Sequence, residues 1–341
     1  MDMDQIYCTL FDSNYLDKAL VLYDSMCQQL GDFKLYVFAF DDQCYKLLSK
    51  ENLKNMMVIS LKEFETPELL KVKSERTSAE YCWTCSPWVI KHVLDNYHEP
   101  ICTYIDADMM FFSSPQEVFD DMRAKECSVI IVPHRFETEQ ERIKARNQVG
   151  EYCVQFNTFV NNENGMQVLN WWAQKCLDWC FYSVPGTTEW YGDQKYLNAF
   201  PEKFSGVYIC NHHGVGLAPW NNKLVEYYDH SEPDKIGIRV KATGETFPVV
   251  IYHFESVSFL TKNILHGASR MPSKRLHEKL YDEYIHRIIE KRRFIREHFG
   301  IELPKTRRVV TKNPVMRIYQ KYISPVRRVK KISDLYWVKG E

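Results

Sequence analysis

The stretch EPICTYIDADMMFFSSP, residues 99–115, decides how this chain is read. A mostly apolar run delivers Asp106 and Asp108 into further apolar residues, and no basic residue stands near them in sequence. A solvated turn would continue into polar residues or glycine, whereas this one continues into MMFF. Residues i and i+2 of a strand share a face, and open α/β sheets bind ligands at the carboxyl edge of their strands. Neighbouring carboxylates resist joint ionisation unless a cation lies between them. Oxygen donors suit Mg²⁺ or Mn²⁺, ions that commonly bridge to a diphosphate. Asp106 and Asp108 are therefore candidate metal ligands.

Working outward, the preceding sequence alternates strand and helix. QIYCTLF, FKLYVFAF and NMMVISL are short β-rich runs. Between and after them, NYLDKALVLYDSMCQQL, DQCYKLLSKE and SAEYCWTCSPWVIKHVLDNY carry apolar residues at helical spacing. The opening stretch arrives as the next strand of a parallel sheet, covered on both faces and hence apolar. Downstream, QEVFDDMRAK predicts a helix, SVIIVPH and VQFNTFVNN strands, and GMQVLNWWAQKCLDWCFY a helix with an aromatic face. Residues 136–150 are strongly charged and predict an exposed helix or loop. GDQKYLNAF starts another helix, and GVYICNH and FPVVIYHF are β-rich runs separated by GVGLAPWNN.

With 341 residues, 45% hydrophobic and 14% aromatic, the chain can bury a sizeable core. Its net charge of −1 hides a split: residues 291–341 carry +11 and residues 1–290 carry −12. The basic tail favours an acidic partner, a membrane surface or a nucleic acid. No apolar stretch reaches the 18 residues of a membrane span, and the start of the chain does not resemble a secretory signal. The 11 cysteines lack zinc spacing and are read as reduced core thiols of a cytosolic protein; CWTC at 82–85 is read as structural. Beyond residue 255 the pattern turns helical and basic. EKLYDEYIHRIIEKRRFIREHF is amphipathic, and PVMRIYQKYISPVRRVKKISDLYW interleaves cations with aliphatic and aromatic residues, which suits an interfacial anchor.

In the order of these motifs, residues 4–260 resemble the GT-A nucleotide-diphospho-sugar glycosyltransferases, and most nearly the glycogenin-like family with its bacterial lipopolysaccharide galactosyltransferases. The resemblance implies an α/β fold with a Rossmann-like, mostly parallel sheet flanked by helices over residues 1–260, followed by a helical basic extension over 261–341. It also implies a nucleotide-diphospho-sugar donor, with a UDP-sugar favoured, and a DxD motif holding Mn²⁺ or Mg²⁺. TLFDSNYL resembles the first strand and loop at the nucleobase and ribose, nominating Thr9, Asp12, Asn14 and Tyr15. IDADMMFF matches the DxD, with Asp106 sharing metal and donor contacts and Asp108 binding metal. FNTFVNN nominates Asn157 for the donor sugar, and GDQKYLN places Asp193 and Gln194 near the anomeric carbon as catalytic candidates. IYHFES offers His253 as third metal ligand. The family's Lys-Pro-Trp triplet is absent after this His, and Lys262 is the substitute for its lysine. Trp220, in HHGVGLAPWNN, is expected to shape the sugar or acceptor pocket.

The implied reaction is metal-assisted transfer of a sugar to an acceptor hydroxyl, with retention, on a glycan or glycolipid of the bacterial surface. A cytoplasmic enzyme peripheral to the inner face of the plasma membrane would meet such an acceptor, and no nucleic acid is expected. Two other readings compete. A sugar nucleotidyltransferase would normally bring a Gly-rich phosphate loop early in the chain, and TLFDSNYLDK has no glycine. A catalytically inactive glycan- or membrane-binding protein would have no need of Asp106, Asp108 and His253.

Overall fold

The structure is a computed structural model that describes residues 5–182, 189–255, 257–259, 264–266, 273–303 and 335–337. Its first half follows the alternation expected from sequence. The strands are β1 (Ile6–Phe11), β2 (Lys34–Ala39), β3 (Met56–Ser60) and β4 (Ile101–Ile105). Between them run α1 (Leu16–Gln29), α2 (Asp42–Glu51), α3 (Leu61–Phe64), α4 (Pro67–Lys73) and α5 (Ser78–Asn96). Residues of β1 and β4 are buried throughout, as parallel strands covered on both sides must be. Helix starts are set by local chemistry: Asp41 caps α2, and Thr77 with Glu80 forms a reciprocal capping box on α5.

The chain then forms β5 (Met109–Phe111), α6 (Gln116–Ala124), β6 (Val129–Pro133), α7 (Glu139–Gln148), β7 (Tyr152–Val160) and α8 (Glu163–Asp178). A 3-10 turn, Gln194–Ala199, runs into α9 (Phe200–Lys203) and β8 (Val207–Ile209). The main sheet has seven strands in the order β3-β2-β1-β4-β7-β6-β8. It is mostly parallel, with β7 running antiparallel to both its neighbours. The charged segment forms α7, with no buried residue, as its composition predicts.

The last third departs from the sequence expectation in detail. It contains β9 (Val225–Asp229), β10 (Ile236–Val240), β11 (Thr246–Pro248), β12 (Ile251–His253), β13 (Ser258–Phe259), β14 (Ile264–His266), α10 (Lys274–Phe299) and β15 (Leu335–Trp337). FPVVIYHF, read as one strand, splits into β11 and β12 because they serve different partners: β11 extends the β9–β10 meander, while β12 pairs with β5. The opening stretch divides as well. Its strand ends at Ile105, residues 106–108 leave the sheet, and β5 resumes in the two-stranded pair with β12.

Helix α10 is amphipathic, but its apolar face is occupied by the protein. Leu276, Leu280, Tyr281, Tyr284, Ile285 and Ile288 pack with Val21 of α1, Met110, Phe112 and Phe254 in a second core. Arg292 pairs with buried Asp17 at 2.8 Å and Lys291 with Asp24 at 2.5 Å, so part of the basic charge is spent on α1. The apolar side of α10 is thus turned to the protein's own core. The second anchor segment, 314–337, lies outside the described residues except for β15. No described helix is long and apolar enough to cross a membrane.

Candidate metal and donor site

The site forms where the chain turns out of the sheet. Asp106 and Asp108 lie in the turn between β4 and β5 rather than along a strand, so the turn and not the strand pleat brings them together. His253 is placed by backbone geometry: β12 runs antiparallel to β5 with His253 opposite Met109, and the Phe254 N–H donates to the Asp108 carbonyl at 2.9 Å. On its other side the His253 N–H donates to the Leu217 carbonyl at 2.9 Å. That contact requires the loop 212–222 to lie flat against β12. A Cβ on Gly214 would fall 1.9 Å from the Pro248 carbonyl oxygen, and Gly216 has φ +80° with its Cβ position 2.3 Å from Val132.

One ligand atom from each of Asp106, Asp108 and His253 lies within 4.8 Å of the others. His253 Nε2 is 3.1 Å from Asp108 Oδ1 and 3.8 Å from Asp106 Oδ2. Its Nδ1 faces Gln155 Oε1 at 3.0 Å, which makes Nδ1 the donor and turns Nε2 toward the carboxylates. Tyr104 donates its hydroxyl to Asp106 Oδ1 at 2.9 Å. Lys18, on the first turn of α1, places Nζ 3.9 Å from Asp108 Oδ2, so the basic residue missing nearby in sequence arrives through the fold.

The two carboxyls are driven apart in acidity. Burial and the Asp108 charge raise Asp106 to about 6, against the opposing pull of His253 and Tyr104. Burial would also raise Asp108, but the His253 charge and hydrogen bond, with Lys18, hold it well below the usual carboxylate range. Burial pushes His253 down, and Asp108, Cys153 and Asp106 together outweigh it and raise the imidazole well above its ordinary value. A cluster of a half-buried carboxylate, a buried carboxylate and a buried imidazole thus retains a proton where a divalent cation would do the same work. The oxygen and nitrogen donors fit such an ion.

The other sequence candidates surround this cluster unequally. Asn157 lies on β7 opposite Tyr104, fully buried, with both amide atoms lacking a hydrogen-bond partner among the described residues. Thr9, near the end of β1, has an unpartnered buried hydroxyl too. Asp12 accepts from the Asn14 backbone and side chain, and Tyr15 is 37% exposed. Asp193 is buried and does not cap the turn that follows it. Burial lifts its carboxyl to about 7, with a Ser86 hydrogen bond opposing and the Asp106 charge assisting. Gln194 turns its amide to the Val149 carbonyl at 2.7 Å. Trp220 meets His253 edge-on, with ring centroids 5.5 Å apart. Lys262 lies outside the described residues. The 11 cysteines are free thiols, and Cys82 and Cys85 of CWTC sit in α5.

Sequence reasoning missed Gln155, Tyr104, Ser86 and Lys18. For Gln155 a signal existed: in CVQFNTF, Cys153, Gln155 and Asn157 recur at a period of two and so share one face of β7. Thr158, on the alternate face, instead bonds Thr103 at 2.8 Å.

No family model matches the chain. A Bacillus subtilis (strain 168) protein described as the uncharacterized protein YfnF is 31% identical over 297 residues, covering 84% of this chain and 94% of its own. The chain belongs to the YfnF family. A second protein of the same organism, the uncharacterized protein YfnD, is 28% identical to this chain over 257 residues, covering 75% of this chain and 79% of its own. Among solved structures, the galactosyltransferase LgtC in complex with donor and acceptor sugar analogs is similar at 13% identity and a TM-score of 0.49, over 84% of this chain and 95% of that one.

Proposed function

We propose that this YfnF-family chain is a metal-dependent glycosyltransferase that moves a sugar from a nucleotide-diphospho-sugar to an acceptor hydroxyl. The observation that carries the reading is the convergence of Asp106, Asp108 and His253 at the exit of β4, the edge at which open α/β sheets bind ligands. Asp106, Asp108 and His253 would hold Mn²⁺ or Mg²⁺, with Tyr104 and Gln155 fixing the orientation of Asp106 and His253. A divalent cation held there supplies charge neutralisation at the diphosphate of the leaving group.

The chain's own residues do the rest. The buried Asn157 amide, unpartnered in the structure, offers a donor and an acceptor to the hydroxyls of the donor sugar. Asp193, in the electrostatic field of Asp106, is the carboxyl nearest the reaction in this reading, and Gln194 begins the turn beside it. We assign retention of configuration, a UDP-sugar donor and a surface glycan acceptor on the resemblance of the motifs. Peripheral contact with an anionic membrane is assigned to the basic residues beyond α10.

The test is hydrolysis of a panel of nucleotide sugars with Mn²⁺ by the wild type and by Asp108→Ala. One donor should be cleaved, and the variant should lose about 100-fold or more of that rate. Equal cleavage by the variant would remove the metal site from the reaction, and cleavage of nucleoside triphosphates alone would make the chain a nucleotidyltransferase. For the tail, truncation at Lys305 should abolish sedimentation with anionic vesicles; equal sedimentation by both forms ends that proposal.

A further inference from the structure

We propose that Lys18, on α1, and Tyr284, on α10, are the side chains that grip the donor's diphosphate beside Asp108. The inference rests on the nucleotide-sugar reading and adds to it two residues from elements outside the metal cluster. Charge requires something of the kind. Two carboxylates and a diphosphate outweigh one divalent cation, so a further positive charge and further donors must stand close by.

Lys18 meets the first need. Its ammonium stands 3.9 Å from Asp108 Oδ2, a Coulombic contact rather than a hydrogen bond. It also lies 4.3 Å from the centroid of the Tyr15 ring, which restrains it by a cation–π contact at the mouth of the β1–α1 loop. Its side chain is 15% exposed, so its field is little screened by water. The neighbouring Asp17 is tied to Arg292 of α10, so α10 itself anchors the turn that carries Lys18.

Tyr284 meets the second. Its ring stacks on Phe254, the residue after His253, at 3.7 Å and 8° between planes. The segment that aims His253 at the cluster therefore fixes Tyr284 as well. The Tyr284 hydroxyl is fully buried and has no hydrogen-bond partner among the described residues, although it lies in the fields of Asp108, Asp17 and Tyr15. A buried hydroxyl left without a partner carries its full desolvation penalty, and an acceptor that arrives with a ligand removes it. A phosphate oxygen beside Asp108 and Lys18 is such an acceptor.

The experiment is calorimetric titration of UDP, ADP, GDP and TDP, of the matching nucleosides, and of Mn²⁺ alone. It compares wild type, Lys18→Met, Lys18→Arg and Tyr284→Phe, each first checked for an unchanged melting transition. Lys18→Met should lose about tenfold or more in nucleoside diphosphate affinity, and Lys18→Arg should recover most of it. The same Lys18→Met should bind Mn²⁺ alone as tightly as wild type or more so, because a cation competing for Asp108 is gone. Tyr284→Phe, which keeps the stack on Phe254, should lose about fivefold in diphosphate affinity and nothing in nucleoside affinity. Diphosphate binding by wild type that neither Lys18→Met nor Tyr284→Phe weakens overturns the pair and leaves the donor reading standing. A wild type that binds no diphosphate of the panel in Mn²⁺ overturns both.

Discussion

The β1–β4 half of the sheet and the β5–β12 corner achieve order by different means. In the first, β1, β2 and β4, of five or six residues each, are almost wholly buried with helices packed along them, and burial of apolar side chains sets the arrangement. In the second, two three-residue strands are located by backbone hydrogen bonds and by a loop whose glycines leave no room for a Cβ. Apolar area gives stability and tolerates small shifts. A metal cluster needs position, and position here comes from backbone contacts that side-chain volume alone would not specify.

The contrast can be broken or sharpened by four measurements. The all-or-none outcome belongs to Asp108→Ala. Mn²⁺ should raise the wild-type melting temperature and leave the variant's unmoved, since an ion binding only the folded form stabilises by about 2.7 kcal/mol at a hundred times its dissociation constant. An equal metal-induced rise in both proteins would place the ion elsewhere. Next, Leu35→Ala, in the core of β2 at 1% exposure, should cost about 2–5 kcal/mol in urea unfolding while its Mn²⁺-induced shift stays as in wild type. A lost metal response there would mean that the two regions are not separable.

Gly214→Ala should behave in the opposite way. The added methyl meets the Pro248 carbonyl, and the Gly214 carbonyl itself accepts from the Val250 N–H at 2.9 Å. A stability loss of about 1–3 kcal/mol should come with a drop in Mn²⁺ affinity, because the displaced segment carries His253. Unchanged metal affinity would show that the loop is packing only.

The smallest effect is one of pH. Burial, helped by the Arg135 guanidinium, lowers His213 from 6.5 to about 4. The unfolded chain takes up this proton first, so stability is lost as pH falls from about 6.5 to about 4. His213→Phe, which keeps a ring against Phe247, should therefore lose less stability between pH 7 and pH 5 than wild type. The difference should be about 1 kcal/mol once its partial exposure is allowed for. Parallel loss in both proteins would assign the acid sensitivity to other groups.

Legibility in the sequence divides along the same line. Hydrophobic period located most elements through β7 but not α3, α4 or the separate β5, and DQCYKLLSKE coincides with α2, whose limits are an Asp cap and an asparagine in the left-handed region. Asp106, Asp108 and His253 were legible as a group only through resemblance, since nothing local relates residue 253 to residue 108. Gln155 showed as an alternation that was not followed up. Lys18 and Tyr284 had no local signal, because Lys18 meets Asp108 and Tyr284 meets Phe254 only through the tertiary fold. The split of FPVVIYHF was unreadable for a related reason: a short strand is defined by its partner, and β5 lies far away in sequence.

That distance has a consequence for the order of assembly. Pairing β5 with β12 closes a loop running from Phe111 to Ile251, a contact whose entropic cost is met only when the intervening strands and helices are in place. During synthesis, a nascent chain that has not yet reached residue 253 carries the two carboxylates without their imidazole. The complete set of three candidate ligands therefore exists only in chains that have been made at least as far as β12.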